Sequence, residues 1–422
     1  MLVLIKMAFR NIRRNSRRSL LAVISVALSL FMVIFIQGYI NGLKRSVIYN
    51  STKNESGHIQ LVTKDYQANK RFMPITYNIE NPSVLIAYLK EDPEIAKEID
   101  LITQRIFFGV LLQYEGKNKA AIAFGGDVDQ EKKLLMLNRS IVNGRYLEHS
   151  KSGNIKERQI IIGQKVADVL KLKVGDTFKV LVTGSDYSLH IPTLKVTGIF
   201  KTGLNSLDDT TFQISLRDAK EVLHTNGGSQ QILIMLKDYE KADKVARLIR
   251  QKLASDERFT NIKAISWKQA GGMAQLMDTM VQVYNFIYIV IALLGSFIIT
   301  NVMMMVILER RKEIGIIKSM GFSRFQILMM FLTEGSILGL IGSISGIVAG
   351  ALVSIYFVIN GIDLTSMISQ LNMPVDNVIR FVITVPGIIS TMFIGIIVAA
   401  IVSVIPSRQA AKMNVVEAIK SV

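Results

Sequence analysis

The apolar residues of this chain are concentrated in four runs. These runs cover residues 20–40, 283–308, 328–359 and 381–405. Because about 20 consecutive apolar residues are needed for a helix to cross the hydrocarbon core of a bilayer, each run predicts one transmembrane helix. The pattern therefore predicts an integral membrane protein with four spans.

Between the first two runs, from residue 44 to about residue 275, the pattern is that of a soluble mixed α/β domain. Short runs rich in β-branched and aromatic residues predict strands, and segments with a helical apolar period predict helices. The region is long enough to bury a hydrophobic core of its own. The predicted strands are 58–62, 105–113, 120–124, 159–162, 177–182, 193–200 and 231–236, and the predicted helices are 83–89, 164–170 and 239–253.

The distribution of charge predicts the orientation in the membrane. The chain carries 50 Lys and Arg against 33 Asp and Glu, a net charge of +17, and residues 1–19 include basic residues but no acidic one. The loop 360–378 contains no Lys or Arg. By the positive-inside rule, both termini and the segment 309–326 are cytoplasmic. Charge placed in this way indicates membrane orientation, and no nucleic-acid partner is predicted.

The predicted fold class is an α-helical integral membrane protein with a large α/β extracytoplasmic domain inserted between helices 1 and 2. Apolar residues at positions 2, 5, 9 and 12 predict an amphipathic N-terminal helix on membrane lipid or on a partner, unless the basic residues only orient the first span. The predicted parts are a cytoplasmic amphipathic helix (1–19), transmembrane helix 1 (20–41), an extracytoplasmic domain (42–280), transmembrane helix 2 (281–308), a cytoplasmic segment (309–326), transmembrane helix 3 (327–359), an extracytoplasmic loop (360–378), transmembrane helix 4 (379–405) and a cytoplasmic tail (406–422).

A dense block of charge, residues 309–321, lies between the second and third runs and is called the charged segment below. It reads ERRKEIGIIKSMG. Ile314, Ile317 and Met320 recur every three positions, which predicts a short amphipathic helix along the membrane surface. An ordinary positive-inside loop would explain the basic residues but not the whole pattern.

The residues after the charged segment predict where one helix ends and the next begins. Gly321 is expected to end the short helix, because glycine adopts the conformations that helix ends require. Ser323 and Gln326 have the spacing of a capping box, which predicts that a new helix starts there and returns to the membrane.

Three motifs resemble those of a known family. The charged segment has the pattern E-R-x-x-E-I-G-x-x-K-x-M-G, residues 406–420 read PSRQAAKMNVVEAIK, and residues 8–15 read AFRNIRRN. In this order they resemble the signature of the FtsX/MacB/LolC-LolE permeases, the membrane subunits of one class of ABC transporter. Val415 departs from the family pattern, which usually has proline there. Several short pieces of residues 125–200 are similar to the family's MacB-like periplasmic domain.

The resemblance implies that the charged segment is a coupling helix that contacts an ATPase subunit. The chain has no G-x-x-x-x-G-K-[ST] motif, so we expect ATP and Mg to be bound by a separate ATPase chain and this subunit not to be an enzyme. The expected partners are two ABC ATPase subunits and a second permease copy or paralogue, in a bacterial inner membrane with both termini cytoplasmic. The residues expected to carry the coupling are Glu309, Arg310, Arg311, Lys312, Glu313, Gly315, Lys318 and Gly321.

The resemblance also implies movement or extraction of hydrophobic cargo by mechanotransmission. Four spans, one large domain after the first span and no fused ATPase are most similar to the LolC/LolE branch, which implies release of lipoproteins from the outer leaflet of the inner membrane. The Glu-Arg form of the charged segment is closer to MacB-like exporters of peptides, toxins or drugs, and an FtsX-like regulator of a cell-wall hydrolase is a third expectation. A periplasmic chaperone is a candidate partner, since residues 183–193 occupy the position of the chaperone-recruiting hook of LolC, although they are short for it.

The third apolar run contains a ridge of glycines at spacings of four, three, four and four. Small residues at such spacings let another helix approach closely, either within the chain or from another subunit. Glu334, beside the ridge, is predicted to be a functional carboxylate or a side chain that reaches the cytoplasmic interface. The ridge consists of Gly335, Gly339, Gly342, Gly346 and Gly350.

Two helical stripes near the extracytoplasmic domain are candidates for cargo contact. Methionine and aromatic side chains form an adaptable apolar surface that suits acyl chains or varied hydrophobic cargo. Packing against neighbouring helices or lipid is the alternative. The first stripe is Phe31, Phe35 and Tyr39, and the second is Met273, Met277, Met280, Tyr284 and Tyr288.

The sequence offers little for catalysis or metal binding. It contains no cysteine, which excludes disulfides and thiolate chemistry. His58, His149, His190 and His224 show no metal-ligand spacing, so we interpret them as structural or surface residues and predict no metal site.

Overall fold

A computed structural model describes residues 10, 12, 14, 16–148, 158–368 and 375–414. The chain divides into two compact units. The membrane unit comprises Met1–Arg45, Thr279–Asp363 and Val378–Val422, and the outer unit comprises Ser46–Asp278 and Leu364–Asn377. Part of the predicted 360–378 loop therefore belongs to the same compact unit as the large inserted domain.

The secondary-structure elements are numbered in chain order. Helices α1 to α14 cover Ser16–Ser51, Lys64–Asn69, Pro82–Lys90, Pro93–Ala96, Val128–Leu134, Gln164–Leu170, Asn205–Asp208, Leu216–Val222, Ala242–Ala254, Met273–Glu309, Arg311–Ser319, Arg324–Asn360, Thr365–Ile368 and Val385–Lys412. Strands β1 to β13 cover Ile59–Thr63, Ile99–Tyr114, Lys117–Gly126, Ile141–Gly144, Arg158–Gly163, Thr177–Thr183, Leu189–His190, Thr193–Phe200, Thr211–Ser215, Gln231–Leu236, Ile262–Ser266, Ile362–Asp363 and Val378–Ile379. A π-helical turn, Thr52–Ser56, follows α1.

Among the residues that the structure describes, four helices, α1, α10, α12 and α14, are long and apolar enough to cross a membrane. They contain the first three predicted runs, and α1 continues beyond its run to Ser51. The fourth helix begins at Val385 rather than at 379, because Val378 and Ile379 pair with β12 and Thr384 caps the helix ahead of a proline in its first turn. Most of the predicted 1–19 helix lies outside the described residues.

The membrane unit has an apolar core between its helices. α1 contributes Ala22, Val26 and Leu30, and α14 contributes Ala399. The same cluster includes Ile314 from the short helix α11. The charged segment is therefore packed into the end of the helix bundle by an apolar side chain.

The outer unit contains a closed barrel. β2, β3, β9, β5, β8 and β6 are hydrogen-bonded in this order, and β6 pairs again with β2, so the ring has no open edge. Along the second half of β2 and along β6 the interior residues alternate with more exposed ones, as a sheet with one face buried requires. Examples are Ile106, Phe108, Val110 and Leu112 on β2.

A second layer extends the same sheet beyond the barrel. Within the described residues β2, β10, β1 and β11 follow one another as antiparallel neighbours, and the first half of the long strand β2 belongs to this part. Helix α9 covers one face with Val245, Ala246 and Ile249, since its apolar residues fall on one side. β2 therefore joins two hydrophobic cores within the outer unit.

A buried ion pair lies where the barrel begins. Arg105 donates from Nε and Nη2 to the two carboxylate oxygens of Glu131 at 2.7 and 2.6 Å, and both side chains are 0% exposed. The third guanidinium nitrogen, Nη1, donates to the backbone oxygen of Asn54 at 2.8 Å. The pair therefore ties the π-helical turn after α1 to strand β2.

All the predicted strands and helices of the inserted domain are confirmed. Strands β4, β7, β9 and β11 and helices α2, α4, α5, α7 and α8 of this domain were not predicted. β9 is buried at every position although its residues alternate between polar and apolar, and its five residues give only a short signal. β4 is largely exposed and carries little apolar signal.

Candidate functional site

The charged segment folds into helix α11 and a tight turn. Arg310 stands at the N-terminal boundary, and Gly321 has a φ of +93°, a conformation that favours glycine. Ser323 Oγ then accepts from the backbone N–H of Gln326 at 3.2 Å, and Gln326 Oε1 accepts from the backbone N–H of Ser323 at 2.8 Å. The predicted capping box is confirmed, and α12 begins directly after it.

The apolar face of α11 differs from the prediction at one residue. Ile314 is 2% exposed and Ile317 is half-buried, but Met320 is 69% exposed. The prediction for Met320 was wrong because the helix ends at Ser319, and six positions from Ile314 are short of two full turns. Ile314 and Gly315 are the buried residues of α11, and Arg311, Lys312 and Ile316 are exposed.

Three polar contacts fasten the charged segment to the rest of the membrane unit. Arg14 pairs with Glu313. Lys318 Nζ donates to the backbone oxygens of Ala411 and Met413, at 2.7 and 2.5 Å, and so caps the end of α14. Burial, and then repulsion from Arg324, lower the pKa of Lys318 below its usual value.

The third contact is buried. Arg310 Nη1 lies 3.6 Å from Glu334 Oε2, and the two side chains are 6% and 3% exposed. Glu334, which the sequence left as either a functional carboxylate or a side chain at the cytoplasmic interface, is therefore buried beside a cation from the charged segment. The pair joins the turn before α11 to helix α12.

The coupling residues predicted from the sequence differ in burial. Arg310 is buried and pairs with Glu334, Gly315 is buried in α11, and Lys318 is half-buried against the end of α14. Glu309, Arg311, Lys312 and Glu313 are exposed, as is Gly321 in the turn. The exposed set is the part of the segment that a partner could touch directly.

The glycine ridge of α12 packs against two helices of the same chain. Cβ atoms at Gly335 and Gly339 would lie 2.0 Å from Ser403 Oγ and 2.4 Å from Ala399 Cβ, both on α14. Cβ atoms at Gly342, Gly346 and Gly350 would lie 2.6 Å from Val26 Cβ, 2.4 Å from the Ala27 backbone oxygen and 3.0 Å from Ile34 Cβ, all on α1. The absence of side chains lets α12 contact both neighbours closely.

Comparison with known proteins decides the family. Residues 19–252, more than half of the chain, match the MacB-like periplasmic core domain, and residues 285–415 match the FtsX-like permease C-terminal domain. The chain belongs to the FtsX/MacB family of ABC transporter permeases. The order of the two matched domains agrees with the inserted outer unit and the helices that follow it.

Individual relatives cover most of the permease. An uncharacterized ABC transporter permease of Methanocaldococcus jannaschii is 24% identical over 99% of this chain and 97% of its own. The lipoprotein-releasing system transmembrane protein LolC of Xylella fastidiosa is 22% identical over 79% of this chain and 80% of its own. The extracellular domain of the transporter YknZ, from Gram-positive bacteria, is 15% identical over 49% of this chain and 99% of its own, at a TM-score of 0.33.

The first aromatic stripe of the permease packs within the membrane unit. The Phe35 ring centroid lies 5.7 Å from that of Phe357 and 5.1 Å from that of Phe381. Tyr39 also contacts Phe381, at 5.9 Å, and Phe31 stacks beside Phe35 at 6.2 Å. The end of α1 is thus held by an aromatic cluster of its own chain.

The second stripe lies on α10. Met280 is exposed, and Met277, Tyr284 and Tyr288 are half-buried. The side chain of Met273 lies outside the described residues. This stripe keeps more accessible surface than the first one.

The permease also brings two histidines together that the sequence analysis treated as scattered. The ring centroids of His190 and His224 lie 4.2 Å apart, beside Asp186. His149 lies outside the described residues, and His58 accepts a hydrogen bond from the backbone N–H of Leu236 at 2.9 Å. Burial lowers the pKa of His58 to about 4, so it is neutral at physiological pH.

Proposed function

We propose that this permease couples ATP hydrolysis in a separate ATPase chain to extraction of hydrophobic cargo, by mechanotransmission. The proposal rests on the contacts that hold the charged segment against the spanning helices. Arg310 contacts Glu334 on α12, Lys318 contacts the end of α14, and Ile314 lies in the core of the bundle. A displacement of α11 by a partner would therefore be transmitted to several spanning helices at once.

The proposed assembly contains two ABC ATPase subunits and a second permease copy or paralogue. The ATPases would bind ATP and Mg and would contact the exposed side of the charged segment, including Glu309, Arg311 and Lys312. The proposed location is a bacterial inner membrane, and the basic residues at the N-terminus and in the charged segment support an orientation with both termini in the cytoplasm.

The proposed cargo is lipoprotein taken from the outer leaflet, with a periplasmic chaperone as a candidate acceptor. This choice rests on the LolC relative, which is named as part of a lipoprotein-releasing system and which aligns with 79% of the chain. Export of peptides, toxins or drugs is the second candidate, favoured by the match to the MacB-like periplasmic core domain. The second stripe, with Met277, Met280 and Tyr284, is the proposed cargo contact, because it is the more accessible of the two.

Affinity purification of the tagged full-length chain, followed by mass spectrometry, tests the assembly. We expect an ABC ATPase to copurify in a one-to-one ratio with permease subunits. If the permease is extracted from the membrane as a monodisperse species and no ATPase copurifies with it, the proposal is contradicted. A tagged membrane protein of similar size from the same cells serves as the control for contaminants.

Photo-crosslinkers at Met280 and Tyr284 test the cargo. We expect lipoprotein to be captured in the nucleotide-free complex and released after ATP is added. A crosslinker at Leu352, which is 65% exposed on α12, is the control for lipid-facing positions. Capture of soluble peptides would favour the exporter, and capture of only the partner permease in both states would show that the stripe is an interface.

A further inference from the structure

Asp186, His190 and His224 form a cluster in the outer unit. Asp186 lies in the turn between β6 and β7, His190 ends β7, and His224 follows helix α8. The antiparallel pairing of β6 with β7 brings the first two together, and the turn after α8 supplies the third. The sequence spacing gave no sign of the cluster because it depends on two separate loops.

The potential ligand atoms of the three residues lie within 4.8 Å of one another. His224 Nδ1 is 3.1 Å from Asp186 Oδ2, and His190 Nε2 is 3.6 Å from Asp186 Oδ1. Ser188 Oγ lies 2.6 Å from His190 Nε2 and 2.5 Å from Asp186 Oδ1. A carboxylate oxygen and two imidazole nitrogens thus converge on one region.

Gly184 leaves space at this point. An ideal Cβ there would lie 2.7 Å from Asp186 Oδ1 and 2.8 Å from His190 Nε2. The φ of Gly184 is outside the left-handed region, so the backbone conformation does not require glycine. The missing side chain keeps open a position between the two ligand atoms. Small rotations of the Asp186 and His190 side chains can shorten their distances from this position to about 2.0–2.2 Å, the length of zinc bonds.

The cluster is accessible from solvent. Its side chains are 46%, 23% and 52% exposed for Asp186, His190 and His224. An open cleft of about 630 Å³ adjoins it, lined by Asp186 and His224 and also by Lys220, Glu221 and Asn226. An ion can therefore enter without any movement of the barrel.

We propose that Asp186, His190 and His224 bind a divalent transition metal, with zinc as the ion, and so join the β6–β7 hairpin to the loop after α8. Two imidazoles and a carboxylate suit zinc better than magnesium or calcium, which prefer oxygen ligands. Zinc would replace the protons shared in the present hydrogen bonds. Three protein ligands leave one tetrahedral position for water or for a side chain of a partner protein. The inference does not depend on the cargo proposed above.

Zinc binding to the full-length chain in detergent tests the proposal, with a purification tag that contains no histidine. Because the chain has no cysteine and only four histidines, background binding is low. Competition for zinc with a chromophoric chelator should show that one zinc ion binds per chain. We expect H190A and H224A to weaken binding by at least about tenfold, since loss of a direct ligand costs no less than loss of an outer-shell partner.

G184A is the sharpest variant, because it removes no ligand but fills the space between two of them. It should weaken zinc binding like the ligand variants, while L189A, at a 62% exposed position of the same hairpin, should bind zinc like the wild type. Zinc should raise the melting temperature of the wild type and of L189A only, and H224Q replaces H224A if the alanine variant does not fold. Absence of stoichiometric zinc in the wild type, or equal affinity in all variants, would overturn the proposal.

Discussion

At the scale of single residues, burial decides what a charged pair contributes. Arg105 and Glu131 are fully buried and joined by two short hydrogen bonds, whereas Arg145 and Glu148 form an ion pair in which the side chains are 57% and 61% exposed. A buried charge that loses its partner cannot be solvated, while an exposed one is solvated by water. The two pairs should therefore respond very differently to the same substitution.

We predict that E131Q destabilises the outer unit by about 3–5 kcal/mol, because Arg105 is left buried without a counter-charge. E148Q is the matched control and should cost less than about 1 kcal/mol. Thermal unfolding followed by the fluorescence of Trp267, the single tryptophan and a buried residue of this unit, measures both. Similar melting temperatures for the two variants would contradict the assignment.

A second prediction at this scale concerns pH and His58. Its folded-state pKa of about 4 lies below the usual value of 6.5, so the unfolded chain binds the proton more tightly. The stabilising effect of the neutral ring is complete above about pH 6.5 and is lost as the pH falls from about 6.5 to 4. The loss is of the order of 3 kcal/mol.

The melting temperature of the wild type should therefore fall more steeply between pH 6.5 and 4 than that of H58Q, which cannot take up this proton. Subtracting the two curves removes the contribution of the carboxylates. Parallel curves over this range would show that His58 is not responsible.

At the scale of elements, helix α12 depends on small residues at two different contacts. Gly335 and Gly339 lie against α14, and Gly342 and Gly346 lie against α1. Close-packed helices have no room for added carbons. At Gly346 the neighbouring atom is a backbone oxygen, which cannot rotate away as a side chain can. The ridge therefore holds three spanning helices together within one chain.

We predict that G346L lowers the yield of monodisperse permease, with a cost of at least about 1–3 kcal/mol from overpacking. I344L, on the exposed side of the same helix, is the control for a change to leucine and should leave the yield unchanged. Size-exclusion chromatography after detergent extraction gives the comparison. An intact G346L peak would mean that α1 and α12 can separate without loss of the fold.

At the scale of the whole molecule, the charged segment has an inner side fixed to the bundle and an outer side open to a partner. Both carboxylates are exposed, but Glu313 lies within α11 and pairs with Arg14, and Glu309 lies at the end of α10, beside the side that we propose meets the ATPase. The two carboxylates that the sequence treats alike should thus act by different routes.

We predict that E309K uncouples ATP hydrolysis from cargo, because its reversed charge would meet the proposed ATPase surface. E313K should also uncouple, but R14E/E313K should recover, since the reversed pair restores the contact within the chain. Cargo-stimulated ATP hydrolysis by the reconstituted complex measures all three. If cargo stimulates ATP hydrolysis in E309K as it does in the wild type, or if R14E/E313K does not recover this stimulation, the prediction is contradicted.

The sequence by itself determined the spans, the inserted domain, the capping box at Ser323 and the family motifs. Each of these features depends on residues that are close together in the chain. A single short stretch of sequence is therefore enough to predict it. Only the tertiary structure decided which charges meet. Arg310 and Glu334, Lys318 and the end of α14, and His224 and the pair Asp186 and His190 are each separated along the chain. Their contacts are set by the packing of helices and the pairing of strands. Neither can be derived from the spacing of residues along the chain.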